Sequence, residues 1–461
     1  MFRRVLVAVL RLALRVFFRR IEVRGRGRVP RDGAVVFVVN HPNALVDPVF
    51  VLCHAPRRVS FLAKEPLFRM PVIRWLVRAM EAIPVYRKQD EGSDPARNRE
   101  TFERAGELLR RGVAVAICPE GVSHSDAKLR PLKTGAARIA LAVASSAPPI
   151  DLHIVPAGIY YTAKTAFRSA ALLFFGEPIK VEAVALDAEG QPPREAVNSL
   201  RERIWLALRD VTLNAEHESA VELVARAERI FSAESDGERR SLRRELSLRQ
   251  QFLDGYAFHF ERDPARLAAL EARVRRYEEE LRLAGIDPED LSAPQAGVVG
   301  IARHLLTRVL PVLCLAPLAL AGALLHYPTY RLTGFLATRL SNKSDDMVST
   351  IKIVASVLLF PLTWLALAAV AYALLGRAAA LAALAAAPLA GWTAVRFSEK
   401  IDDFVGGARA VRFYLTRRWF FKELLVERRR LREEMQALGE EAARASSSGA
   451  SLPSAPTGHT V

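Results

Sequence analysis

Residues Ala34 to Pro48 read AVVFVVNHPNALVDP. The opening run, Ala34 to Val39, is apolar throughout, the mark of a strand buried on both faces. It ends in a polar loop, and open α/β sheets keep their chemistry outside the carboxyl ends of their strands. The loop offers one titratable base, His41, and one carboxylate further on, Asp47. Asp47-Pro48 before the apolar Val49–Cys53 reads as a helix entry, with Asp47 as N-cap and Pro48 at the first helical position. A strand end would then hold His41 while a helix entry holds Asp47. A carboxylate beside an imidazole fixes its tautomer and stabilises the imidazolium formed when it takes a proton. Alone, Asp47 need be no more than a cap. A second cluster downstream gives the pair its meaning.

That cluster, Cys118-Pro119-Glu120-Gly121-Val122-Ser123-His124-Ser125, also follows an apolar strand, Val113–Cys118. Gly121 at a strand end lets backbone amides approach an anion, and Ser123 adds a hydroxyl donor. Glu120 can accept from a polyol hydroxyl or bridge to a cation. A third cluster, Ile83-Pro84-Val85-Tyr86-Arg87-Lys88, runs from strand into basic loop, where Arg87 suits bidentate phosphate binding. In a fourth, Pro131-Leu132-Lys133-Thr134-Gly135-Ala136, Lys133 sits at a helix entry. A cation gains nothing from the helix dipole there, and a bound anion would explain it.

Outward from these clusters, short strands and helices alternate. Strands are expected at Ile21–Arg24, Ala34–Val39, Val59–Ala63, Ala82–Tyr86, Val113–Cys118 and Ile154–Tyr161. Helices are expected at Pro48–Cys53, Pro71–Met80, Arg97–Arg111, Lys133–Ala144 and Arg194–Leu213. Such alternation argues for an α/β sandwich. The expected organisation is an amphipathic membrane-interface helix (1–20), an α/β domain (21–213), a charged helical arm (214–300), a membrane region (301–400), a basic amphipathic helix lying along the membrane (401–445) and a disordered tail (446–461).

Composition supports a soluble part joined to a membrane part. Of 461 residues 51% are hydrophobic, and the net charge is +16, mostly from Arg. A basic balance suits nucleic acid, anionic headgroups or phosphorylated substrates. Zinc-finger spacing and aromatic-interleaved basic strands are missing from the sequence, so nucleic acid is not expected as a partner. Residues 1–20 carry six Arg and no acid. Arg11 and Arg15 interrupt any spanning run, and no small-residue cleavage site follows, so neither a span nor a signal peptide is expected there. Ile353–Leu375 is long enough to cross a bilayer, and Ala378–Val395 is near the lower limit. Val309–Leu325, broken by Pro311 and Pro317, is read as re-entrant. Lys and Arg crowd the outer ends of these segments and place those ends, with the α/β domain, in the cytoplasm. Cys53, Cys118 and Cys314 have no paired spacing and read as free thiols, with no metal-ligand spacing among Cys and His.

The order His–Asp, Val-Tyr-Arg, Pro-Glu-Gly and Val155-Pro156 resembles the glycerolipid acyltransferases of the PlsC type, which use glycerol 3-phosphate or 1-acylglycerol 3-phosphate. Two departures, five residues between His41 and Asp47 and Val122-Ser123-His124 after Gly121, resemble one branch of that family. Leu132-Lys133-Thr134-Gly135 and the long membrane-bearing C-terminal part do so too. The resemblance implies a glycerol-3-phosphate acyltransferase-like α/β sandwich in a membrane, there a bacterial inner membrane. It implies an acyl-CoA or acyl carrier protein donor, a phosphorylated glycerol or lysophospholipid acceptor, membrane lipid contacts and no cofactor or metal. His41 would be the general base and Asp47 its orienting acid. Arg87, with Lys133, would hold the phosphate, and Glu120, Gly121 and Ser123 the glycerol. Acylation of glycerol 3-phosphate is the leading expectation. Acylation of 1-acylglycerol 3-phosphate is the alternative, and a non-catalytic membrane scaffold the second.

Overall fold

A computed structural model describes residues 2–87, 97–126, 128–215, 241–285, 298–341 and 345–447, with positions 220, 222, 223 and 226. It divides into two units, residues 1–214 with 336–355, and residues 215–335 with 356–461.

The first unit is α/β. In chain order it holds α1 (Phe2–Phe17), β1 (Arg20–Arg24), β2 (Ala34–Val39), α2 (Val46–His54), β3 (Val59–Lys64), α3 (Pro71–Ala79), β4 (Ile83–Val85), α4 (Asn98–Arg110), β5 (Ala114–Ile117), α5 (Gly135–Ala144), β6 (Leu152–Tyr161), β7 (Ala170–Phe175), β8 (Ile179–Lys180) and α6 (Arg194–Val211). The strands form one sheet in the order β1-β7-β6-β2-β5-β3-β4, with β8 on β6. From β6 to β4 every neighbouring pair is parallel. Antiparallel pairing enters with β7 and β8 against β6. All six residues of β2 are buried, as a central parallel strand covered on both faces requires. Its side chains join a core that includes Phe18, Phe50, Phe61 and Phe175 from other elements.

Three sequence expectations change here. Ala170–Phe175 and Ile179–Lys180 were expected as neither strand nor helix, yet β7 lies between β1 and β6. Ala170–Phe175 is apolar throughout, and so short a run does not by itself separate strand from buried helix; its partners, Arg20–Arg24 and Ala157–Tyr161, lie elsewhere in the chain. The second change concerns Asp47. Helix α2 starts at Val46 with Leu45 in the cap position, so Asp47 is inside the first turn and caps nothing. Its carboxylate turns to the preceding loop instead. The third concerns α1, which is amphipathic as expected but packs Leu6, Val7, Leu10, Leu14 and Phe17 onto the core. Phe2, Val5, Val9, Leu12 and Val16 form an opposite, exposed apolar stripe at helical spacing. Two of its arginines act as tethers: Arg3 donates to the Val59 carbonyl and Arg11 to that of Cys53.

The second unit is helical, with α7 (Leu242–Arg262), α8 (Pro264–Ala284), most of α9 (Val298–Leu340) and α10 (Asp345–Leu375), α11 (Arg377–Thr416) and α12 (Arg418–Ser447). Ser241 and Asp263 cap α7 and α8, and Gly285, at φ +66°, ends α8. The arm is not merely a solvated charge run. Helix α8 buries Leu267, Leu270, Val274, Tyr277 and Leu281. Helix α12, expected along a membrane surface, buries Phe421, Leu424, Leu431, Met435 and Leu438, and packs against α7 and α8. Arg273 of α8 pairs with Glu427 and Glu434 of α12, and Arg266 with Glu441. The apolar stripe of α12 meets protein here, on partner helices that lie far back in the chain.

Met347–Leu375 and Arg377–Ile401 are long and apolar enough to cross a membrane, and only 6% and 17% of their apolar windows are buried, unlike core helices. Gly376, at φ +82°, turns the chain between them. Val309–Leu325, read as Pro-broken, lies inside the continuous helix α9. The tail beyond Ser447 falls outside the described residues.

Candidate active site

Strands β6, β2 and β5 are adjacent and parallel, with Val38 opposite both Ile117 and Pro156. Loops leaving their carboxyl ends therefore emerge along one edge. His41 follows β2, Glu120 follows β5, and Tyr161 ends β6. Strand β4 is parallel to β3, so Arg87 leaves at the same edge.

The loop after β2 is pinned before it reaches His41. The Asn40 side chain extends the ladder to β6, donating to the Ile159 carbonyl at 3.0 Å and accepting from its N–H at 2.7 Å. Ala44 then takes φ +31°, unusual for a residue with a Cβ, and lets the five-residue spacer fold back. The result brings His41 Nδ1 to 2.9 Å from Asp47 Oδ2. A carboxylate there accepts, so Nδ1 is the donor, and in the neutral imidazole this tautomer leaves the lone pair on Nε2. His41 is 19% exposed, while Asp47 is fully buried.

Asp47 is held from three sides. Besides His41, Oδ2 accepts from the Asn43 N–H at 2.6 Å, and Oδ1 accepts from the Tyr161 hydroxyl at 2.7 Å. Burial and the neighbouring Asp47 push the Tyr161 phenol well above its ordinary pKa, so it remains a donor. Tyr161 and Asn43 are neighbours of Asp47 that the sequence alone does not single out. Tyr161 stands 114 positions from Asp47, and nothing local marks the contact.

The Pro-Glu-Gly loop lies alongside. The His124 N–H donates to the His41 carbonyl at 3.1 Å, joining the two loops through backbone. Glu120 is buried, and its Oε2 accepts from the Arg130 N–H at 2.8 Å and faces His124 Nε2 at 2.5 Å. Gly121 takes φ +77°, where a side chain would be strained. Its carbonyl accepts from Arg87 at 2.8 Å. A Cβ on Gly121 would stand 3.4 Å from Lys133 Cγ, so the stem of Lys133 runs beside this turn. Helix α5 begins only at Gly135, leaving Lys133 just before it, with its backbone N–H donating to the Pro119 carbonyl. Ser123 is half-buried on the same loop. His41, Asp47, Glu120, Gly121, Arg87 and Lys133 thus converge, although four separate segments supply them.

Residues 20–160 match the acyltransferase family model, and residues 223–443 match the C-terminal domain of glycerol-3-phosphate acyltransferase 2. Residues 20–160 carry a PlsC-type acyltransferase domain. Glycerol-3-phosphate O-acyltransferase 1 of Saccharomyces cerevisiae is 26% identical across 76% of this chain and 58% of its own length. The chloroplastic 1-acyl-sn-glycerol-3-phosphate acyltransferase BAT2 of Brassica napus is 30% identical across 31% of this chain and 40% of its own. The 1-acyl-sn-glycerophosphate acyltransferase PlsC of Thermotoga maritima has a crystal structure. It is 21% identical, with a TM-score of 0.32 across 45% of this chain and 79% of that one. The chain spans 37% to 60% of the length of the fungal relatives it matches.

In this PlsC-type domain the spacing of five residues between His41 and Asp47 still yields a hydrogen-bonded pair, through the turn at Ala44. Cys118 lies close to both loops. Burial, then Asp47 and Glu120, drive its thiol well above the ordinary range, which disqualifies it as a nucleophile near neutral pH.

Proposed function

We propose that this protein moves a fatty acyl group from an acyl thioester, acyl-CoA or acyl carrier protein, to glycerol 3-phosphate at a membrane surface. The observation that carries this reading is the His41–Asp47 pair: a base with a free Nε2, backed by a carboxylate buried and held from three sides. Nε2 takes the acceptor hydroxyl proton as its oxygen attacks the thioester carbonyl. Asp47 stabilises the imidazolium. Collapse of the tetrahedral intermediate breaks the carbon–sulfur bond, and the imidazolium returns the proton to the leaving thiolate. Products are the oxygen ester and the free thiol. Arg87 and Lys133 hold the phosphate beside Gly121, and Glu120, Gly121 and Ser123 hold the glycerol part. The glycerol-3-phosphate acyltransferase 2 C-terminal match favours glycerol 3-phosphate as acceptor. The test offers purified protein a radiolabelled acyl-CoA with glycerol 3-phosphate or 1-acylglycerol 3-phosphate. Higher kcat/KM with glycerol 3-phosphate is expected, the reverse order would move the chain to the lysophospholipid reading, and transfer to neither would end both.

Two features support work at a bilayer. The exposed stripe of α1, joined by Trp75, which meets Phe2 edge-on at 4.8 Å, gives an apolar face rimmed by arginine, suited to an anionic interface. The foot of α10 adjoins the catalytic loop. Lys352 donates to the Thr165 carbonyl at 2.8 Å and Ser349 to that of Lys164, which the Asn43 side chain also approaches at 3.5 Å. Because α8 touches α12, both lie on one side of any bilayer. An even number of crossings must therefore separate them, and α10 and α11 supply two. By its cationic ends that side is the cytoplasm. Reporters at Gly285 and after Ser447 should read cytoplasmic and one at Gly376 the opposite; Gly285 and Gly376 on one side would refute this topology.

A further inference from the structure

We propose that His124 positions Glu120 so that one carboxylate oxygen receives the acceptor hydroxyl that does not react, making this a site for glycerol phosphates with two free hydroxyls. The inference rests on the acyl-transfer reading above.

Glu120 is 3% exposed and its two oxygens are treated differently. Oε2 is filled, by the Arg130 N–H at 2.8 Å and His124 Nε2 at 2.5 Å. Oε1 is buried with no hydrogen-bond partner. A buried carboxylate oxygen without a donor is costly, and such an orphan at a functional edge reads as an acceptor kept for a ligand. An alcohol O–H fits it and a phosphate oxygen does not, since both would be acceptors.

The distance from this oxygen to the base is constrained by backbone. His124 grips Glu120 through its ring and His41 through its N–H, which donates to the His41 carbonyl at 3.1 Å. His124 is itself 9% exposed, with Asp126 at 3.6 Å from Nδ1, and Arg130 holds Asp126 at 2.8 Å. The imidazole therefore sits beside two acidic side chains, and swinging away from Glu120 would take a donor from a buried oxygen. Glycerol 3-phosphate offers two neighbouring hydroxyls, one for His41 and one for Glu120. An acceptor with a single hydroxyl spends it on the reaction and leaves Oε1 empty. His124 occupies a block where this chain departs from the usual pattern of the family, so neither Glu120 nor Gly121 alone foretells the device.

The test compares glycerol 3-phosphate with propane-1,3-diol monophosphate, which lacks the second hydroxyl, in the wild type, H124A and H124Q. Wild type is expected to prefer glycerol 3-phosphate in kcat/KM by roughly ten- to a hundredfold, the range of a hydrogen bond to a charged group. H124A should lose most of that preference, chiefly through KM for glycerol 3-phosphate, with KM for acyl-CoA within about twofold. H124Q, whose amide nitrogen reaches as far as Nε2, should regain most of the preference. A wild type that treats both acceptors alike overturns the proposal, as does an H124A that slows both equally or a Gln variant no better than Ala. A wild type that acylates neither acceptor defeats the acyl-transfer reading itself.

Discussion

His41→Ala is expected to reduce acyl transfer by at least about 10²–10⁴-fold, the usual contribution of a positioned general base. Among the described residues, neither Cys118 nor Glu120 can take its place. Cys118 stays protonated near neutral pH, while Glu120 Oε2 is engaged by His124 and Arg130 and its Oε1 is assigned to the acceptor's other hydroxyl. The fold should survive. His41 is partly exposed, and its removal still leaves Asp47 with the Asn43 N–H and the Tyr161 hydroxyl. The stability cost is therefore that of one hydrogen bond, about 0.5–1.5 kcal/mol. Radiolabelled transfer, measured beside a thermal melt of the same preparation, checks both halves. Near-wild-type transfer would remove His41 from the chemistry.

Asp47→Asn should cost nearly as much activity, about 10²–10⁴-fold, through charge rather than shape. The backbone N–H of Asn43 cannot reverse its direction, so the amide oxygen must take the place of Oδ2. The Tyr161 hydroxyl can rotate and accept from the new NH₂ group. His41 thus keeps its tautomer, while the imidazolium loses its counter-charge. Asp47→Ala differs in kind. It leaves buried donors unpaired at a fully buried position, and each costs about 1–3 kcal/mol, so loss of folded protein should accompany loss of activity. Tyr161→Phe removes a single partner of Asp47 and should lower kcat roughly tenfold. Equal activity in Asp47→Asn and wild type would reduce Asp47 to a structural residue.

Much of the site is legible in local sequence. An apolar run ending in Asn40-His41, another ending in Pro119-Glu120-Gly121, and Arg87 after a short strand are all features within ten residues or so. They rest on strand burial and on the chemistry of loops at strand ends, and the strands lie within two residues of their expected bounds. What stayed hidden involves partners distant in the chain. Tyr161 meets Asp47 across 114 positions, and β7 pairs with a strand at the other end of the domain. Helix α12 shows the same limit. Its stripe of Phe421, Leu424, Leu431 and Leu438 is equally suited to lipid or to another helix, and only the presence of α7 and α8 decides between them.

By itself the sequence determined which groups are available and on which kind of element each sits: a base and an acid around one strand end, a carboxylate and a glycine after another, a guanidinium after a third, and apolar helices of membrane length. The tertiary structure alone decided that these groups meet. An apolar strand has no local preference for its neighbour, so the parallel order β6-β2-β5 follows from burying all the strands at once. That order gathers Tyr161, His41 and Glu120 along one edge, and with it the hydrogen bonds that turn separate residues into a site.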